Sequence, residues 1–140
     1  MLSRPRRNRQ SASIRSMVRE TIVTVDDLIY PFFIEDGKGI KSPITSMPGM
    51  HRWSPDLLLG EIEECMALGL RSFVLFPAIK ESLKDKTASH SWDSSNYYLH
   101  TIAAVKKRFP ECTLISDVAM DPYSSDGHDG LVEDGEILND

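Results

Sequence analysis

Apolar positions along the chain fall into blocks whose spacing alternates between that of a buried strand and that of an amphipathic helix. Ile29-Tyr30-Pro31-Phe32-Phe33-Ile34, closed by Glu35-Asp36-Gly37, is β-branched and aromatic and predicts a first strand. Pro31 is unusual in a central strand. Residues 35–53, rich in Gly, Pro, Lys and Ser, read as an excursion with a turn at Met47-Pro48-Gly49-Met50. Ser54-Pro55-Asp56 has the character of a helix start, and Leu58, Ile62, Cys65, Met66 and Leu70 recur at helical spacing, which predicts a helix over residues 55–68. Ser72-Phe73-Val74-Leu75-Phe76 is a continuous apolar strand of the kind buried on both faces in parallel sheets. A polar loop with Lys80, Lys84, Lys86, His90 and Asp93 follows. A second helix over 95–108 then aligns Tyr98, Ile102 and Val105, and ends in Lys106-Lys107-Arg108, where cations suit the helix dipole. Thr113-Leu114-Ile115-Ser116-Asp117-Val118 predicts a third strand.

The order β, α, β, α, β predicts an α/β fold of right-handed βαβ units on a parallel sheet. In such sheets functional groups collect at the C-terminal ends of the strands. That places the segment from Asp117 to Asp129, which holds Asp117, Asp121, Asp126, His128 and Asp129, where chemistry is expected.

Composition changes this picture at the two ends. The 140 residues are 41% hydrophobic and 26% charged, in the range of one ordinary globular domain. No apolar run approaches the roughly 18 residues needed to span a bilayer, so no membrane span is expected. Net charge is −5, yet Arg4, Arg6, Arg7, Arg9, Arg15 and Arg19 all precede the first acid, Glu20. This divides the chain into a basic N-terminal arm over residues 1–24 and a folded domain over 25–140. An Arg/Ser-rich start can be a transit peptide or a nucleic-acid arm. No long leader precedes it, no aromatics are interleaved with the arginines and the chain is acidic, so a solvated or subunit-contacting arm is expected and no nucleic-acid partner. Cys65 and Cys112 lack CxxC spacing and read as free, buried thiols of a reducing compartment.

The acidic segment has two readings. Asp-Pro, Ser-Asp-Gly and Asp-Gly pairs are ordinary turn chemistry. Asp121 and Asp129 are also hard oxygen ligands with no cysteine or second histidine near them, so a metal held there is expected to be Mg²⁺ or a similar oxygen-preferring ion and not Zn²⁺. The spacing does not match a calcium loop. His128 is either a general acid/base or a surface histidine. Asp117 interrupts an apolar strand, where a carboxylate needs a cation, a metal or several donors to offset desolvation. Lys80, Lys84 and Lys86 read as a solvated loop face, or as a lysine placed to reach an anion.

Several blocks in fixed order resemble the N-terminal part of the porphobilinogen synthase (5-aminolevulinate dehydratase) family: Arg4-Pro5-Arg6-Arg7-Asn8-Arg9, Asp27 to Ile34, Ser46-Met47-Pro48-Gly49, Val74-Leu75-Phe76-Pro77, Asp117 to Tyr123, and Asp134 to Asp140. The resemblance implies an arm followed by about the first three βα units of a (β/α)8 TIM barrel, in a homo-oligomer, commonly an octamer, whose arm wraps a neighbouring subunit. It implies a lyase that condenses two 5-aminolevulinate molecules, with loss of two waters, to porphobilinogen for haem and chlorophyll biosynthesis. Zinc-dependent members carry three cysteines where this chain has Ala119, Asp121 and Asp129, so the resemblance is to the aspartate-rich, Mg²⁺-associated and plant-like type. Asp117 matches the aspartate beside the reactive lysines. Asp121 and Asp129 match active-site acids that either bind metal or orient lysine and substrate. The family's two Schiff-base lysines match no position up to residue 140, so the chain as given is expected to be an inactive fragment. The alternative is a non-catalytic short product that associates with full-length oligomers. A cytoplasmic location is expected, or a plastid one in a photosynthetic eukaryote.

Overall fold

The structure, a computed structural model, describes residues 6–138. Residues 1–5 and 139–140, which hold the outer ends of the first and last matched blocks, lie outside the described residues. Helix α1 (Ala12–Met17) is capped by Ser11, whose hydroxyl accepts the Ile14 N–H at 3.1 Å. It lies in an exposed stretch in which Met17, Ile22 and Val23 face solvent. Thr24 ends that stretch by donating its N–H and its hydroxyl to the Asp27 carboxylate, at 2.8 and 3.0 Å.

Strand β1 (Ile29–Glu35) forms the predicted first strand. The excursion after it contains two short strands that the sequence pattern does not announce, β2 (Lys41–Pro43) and β3 (His51–Trp53). Three residues are too few to display a period of two. Helix α2 (Pro55–Ala67), strand β4 (Ser72–Ala78), helix α3 (Tyr97–Arg108) and strand β5 (Thr113–Ser116) follow as expected, and a final hairpin pairs β6 (Leu131–Glu133) with β7 (Glu136–Leu138). The main sheet has the order β2-β3-β1-β4-β5, parallel throughout except that β2 runs antiparallel to β3. The molecule is thus mixed α/β with a parallel sheet.

Pro31 is accommodated by register. It sits opposite Val74 of β4, and β3 joins β1 only from Phe33 onward, so among the described residues β1 is paired on one side alone at Pro31, the edge-like setting in which proline is tolerated. The excursion is fastened to the start of α2 instead of hanging free. The Ile40 N–H donates to Ser54 Oγ at 2.9 Å, and the Gly39 N–H donates to the Asp56 carboxylate at 3.0 and 3.1 Å. Asp56 also accepts from the Ser54 hydroxyl, which holds its carboxyl below the usual range.

Both helices cover one face of the sheet. Phe32, Ile34, Phe73 and Leu75 from the strands pack with Leu58, Ile62 and Cys65 of α2 and with Tyr98 and Val105 of α3. The alternate residues Phe33, Val74 and Phe76 are only half-buried, with the Phe33 and Phe76 rings stacked at 5.6 Å. The expectation that β4 is buried on both faces therefore holds for one face among the described residues. Cys65 and Cys112 are free and buried as expected, and burial pushes both thiols up.

Candidate active site

Strand β5 stops at Ser116, two residues short of the predicted end, and Asp117 leaves the sheet as an exposed residue. This corrects the desolvation argument: Asp117 does not sit inside an apolar strand, because β5 pairs with β4 only through Ser116. Its carboxylate is placed instead at the C-terminal end of the sheet, where it lines a concavity shared with Asp121, Lys84, Phe33, Phe76 and Pro77. Phe33, Phe76 and Pro77 come from the C-terminal ends of β1 and β4. Two carboxylates, one ammonium and an apolar wall thus converge from three separate stretches of chain.

The acidic loop that carries Asp121 is built on one internal brace. Asp129 Oδ1 accepts the backbone N–H groups of Met120 at 2.8 Å and of Asp121 at 3.1 Å. A carboxylate receiving two N–H groups fixes the backbone it bonds to. Asp129 therefore acts on Asp121 through the main chain. The Tyr123 and Ser124 N–H groups both donate to the Met120 carbonyl, at 2.9 and 2.8 Å, and Gly127, at φ +69, makes the tight return. Ser124 is buried and its hydroxyl accepts the Asp126 N–H at 3.2 Å. Asp126 keeps one buried oxygen, Oδ2, with no hydrogen-bond partner among the described residues. His128 is exposed.

Three residues that the sequence pattern leaves unassigned tie together the acidic loop, the start of α3 and the strand ends. Asn96 is fully buried at the start of α3: its Oδ1 accepts the Tyr98 N–H at 2.9 Å, and its Nδ2 donates to the His90 carbonyl at 2.9 Å and to the Tyr123 hydroxyl at 3.2 Å. Tyr97 reaches across to the strand ends. Its hydroxyl lies 2.9 Å from the Ile34 carbonyl and 3.1 Å from the Ala78 carbonyl, and it accepts the Ala78 N–H at 3.1 Å. Burial drives the Tyr97 hydroxyl far above its ordinary pKa. Asp85, in the loop between β4 and α3, pairs with Ser124 in a parallel bridge. An Asn ahead of an apolar helix is a readable cap signal; its second contact with Tyr123, 27 residues away, is not.

The three lysines of that loop separate. Lys80 is exposed and pairs with Asp36 at 2.8 Å, and Lys86 is exposed. Lys84 keeps only 20% of its side chain exposed, and its ammonium meets Glu81 at 2.6 Å beside the concavity. The solvated-face expectation fits Lys80 and Lys86 and fails for Lys84.

For metals, the loop offers carboxylate oxygens and the single imidazole of His128, and no cysteine. Among the described residues no group of three or more His, Cys, Asp or Glu is gathered to hold an ion, and the two cysteines lie in the core. Two carboxylates with water in the remaining positions are a donor set that suits Mg²⁺, which keeps much of its hydration shell.

The family model of delta-aminolevulinic acid dehydratase matches residues 2–140. Delta-aminolevulinic acid dehydratase of Chlamydia pneumoniae is 50% identical over 137 residues, covering 98% of this chain and 41% of the relative. The chloroplastic protein of that name from Oryza sativa subsp. japonica is 41% identical over all of this chain and 33% of its own length. The crystal structure of delta-aminolevulinic acid dehydratase (porphobilinogen synthase) from Toxoplasma gondii ME49, in complex with the reaction product porphobilinogen, matches with a TM-score of 0.92 and 42% identity, over all of this chain and 40% of that one. The chain spans about two fifths or less of the length of these relatives.

Proposed function

Because the chain belongs to the delta-aminolevulinic acid dehydratase family, we propose that it supplies the arm and the first part of the catalytic barrel of a porphobilinogen synthase. Tetrapyrrole synthesis is the function its relatives support. The reaction is the condensation of two 5-aminolevulinate molecules to porphobilinogen and two waters. The observation that carries this reading is the convergence of Asp117 and Asp121 with Lys84 on one concavity at the C-terminal ends of β1 and β4. Catalytic groups of parallel α/β enzymes collect at that end.

Asp117 and Asp121 then hold the positive charge of a substrate amine or of an iminium formed on a lysine, which a carboxylate stabilises in its charged form. Asp129 keeps Asp121 in place through the two N–H groups it accepts. The apolar rings of Phe33 and Phe76 cover one side and keep water from it. If the family's ion binds here, Asp121 and the second oxygen of Asp129 hold it as Mg²⁺, and it supplies positive charge beside the substrate carboxylate or carbonyl. The 140 residues alone do not turn over, since the two lysines that the family uses as Schiff-base nucleophiles match none of their positions. The arm joins subunits of a homo-oligomer, and the enzyme acts in the cytoplasm or, in a photosynthetic eukaryote, in a plastid.

The test is a chimaera that joins residues 1–140 to the remaining barrel of the Toxoplasma gondii enzyme, assayed with 5-aminolevulinate and Mg²⁺. It should form porphobilinogen, and Asp117→Asn and Asp121→Asn should each lower kcat by roughly a hundredfold, the scale of a lost charge-stabilising group. An active chimaera indifferent to both substitutions would sink the assignment of these acids. Porphobilinogen formed by the 140 residues alone would overturn the inactivity.

A further inference from the structure

We propose that Asp85 is a positioning residue that sets the two walls of this cavity relative to each other, an inference that rests on the function proposed above. Its backbone is shared by both walls. The Asp85 N–H donates to the Tyr123 carbonyl at 3.2 Å, and the Ser125 N–H donates to the Asp85 carbonyl at 3.0 Å, so one residue is bonded on each side of buried Ser124. Its chain neighbour is Lys84, which lines the cavity with Asp117 and Asp121. Lys84 is therefore tied to the loop that carries Asp121 across a single peptide link and one short bridge.

The Asp85 side chain makes that link stiff. Oδ1 accepts the Thr87 N–H and hydroxyl, both at 2.8 Å, and the Ser89 N–H at 3.2 Å, and Oδ2 accepts the Ser89 hydroxyl. The turn so closed carries Ala88 at φ +54, a left-handed conformation that a residue with a Cβ adopts only when its surroundings hold it. Ala88 is buried there against Ile79 and Tyr123. A rigid turn thus sits behind Lys84 and grips the acidic loop by its main chain. None of its contacts reaches the substrate cavity, which separates Asp85 from the groups that act there.

Two measurements test this, with Asp85→Ala removing all four side-chain acceptor contacts and Asp85→Asn keeping those of Oδ1. In the 140-residue chain, amide hydrogen exchange should quicken at Ser125 and Thr87 in Asp85→Ala while Phe32 and Leu75 in the sheet stay protected. In the chimaera, kcat per folded molecule, with the folded fraction counted from the protected sheet amides, should fall roughly tenfold to a hundredfold, the cost of misplacing reacting groups by about 1 Å. Asp85→Asn should recover most of that loss. Wild-type kcat per folded molecule in Asp85→Ala would overturn the inference, as would exchange that quickens equally across the sheet. If the unsubstituted chimaera is itself silent, the proposed function has failed, and the exchange pattern still decides whether Asp85 grips the loop.

Discussion

Replacing Asn96 by alanine tests whether one buried side chain joins the helix layer to the acidic loop. The substitution removes four contacts: the cap on the Tyr98 N–H, the bonds to the His90 carbonyl and the Tyr123 hydroxyl, and a longer bond to the Ser91 carbonyl at 3.5 Å. A lost N-cap costs about 1 kcal/mol. Leaving a buried partner unsatisfied costs about 1–3 kcal/mol. The His90 carbonyl lies in a half-exposed loop residue and can recruit water, whereas Tyr123 is buried, so the sum is taken as about 2–4 kcal/mol. In urea unfolding of the chain, with m near 2 kcal/mol/M, the midpoint should drop by about 1–2 M at unchanged m. A double-mutant cycle with Tyr123→Phe isolates the Nδ2 to hydroxyl bond, and its coupling should be about 1 kcal/mol. A stability for Asn96→Ala within about 0.5 kcal/mol of the unsubstituted chain, the range of a neutral surface change, would refute the claim that this residue binds the two parts together.

Tyr97→Phe removes the hydroxyl that accepts the Ala78 N–H, and should cost about 1–3 kcal/mol in the same unfolding assay, with no loss of apolar packing. Ile62→Ala empties a fully buried position between α2 and the sheet, and a loss of about 2–5 kcal/mol is expected by urea or thermal unfolding. Asp85 has its pKa lowered from 3.8 to about 2, first by the Ser89 hydroxyl and then by that of Thr87. A lowered carboxylate stabilises the fold above its unfolded pKa, and that contribution is lost as pH falls through the folded value. Carboxyl carbon NMR should therefore place the Asp85 midpoint near 2, with the Ser89 and Thr87 amide signals moving in the same pH window; a midpoint at the ordinary value would contradict the turn geometry. Isothermal titration should find Mg²⁺ but not Zn²⁺ preferred at the acidic loop, and Asp121→Ala should abolish the heat; tight Zn²⁺ binding there would reverse the assignment.

The sequence by itself determined the long elements, because period is a local property. The periodic residues Leu58, Ile62, Cys65 and Met66 of α2 and the unbroken apolar run of β4 each specify an element without reference to the rest of the chain. The same locality, together with the matched blocks, placed the acidic loop after the third long strand and named Asp117, Asp121 and Asp129. Elements of three residues escaped, since β2, β3 and the final hairpin carry no measurable period and exist through pairing with partners elsewhere. The apolar run continues to Val118 and puts Asp117 inside a strand, yet ladder pairing ends at Ser116 and releases it. Tertiary structure alone decided which polar groups act together. Lys84 is one of three lysines in a polar loop until the bridge between Asp85 and Ser124 brings it beside the carboxylates. Asp129 reads as a candidate ligand in the sequence, and only the fold shows that its Oδ1 also holds the amide of Asp121. These assignments depend on hydrogen bonds between residues that are distant along the chain or turned by a loop, and such bonds follow from where the packed sheet and helices put their ends, which no window of sequence contains.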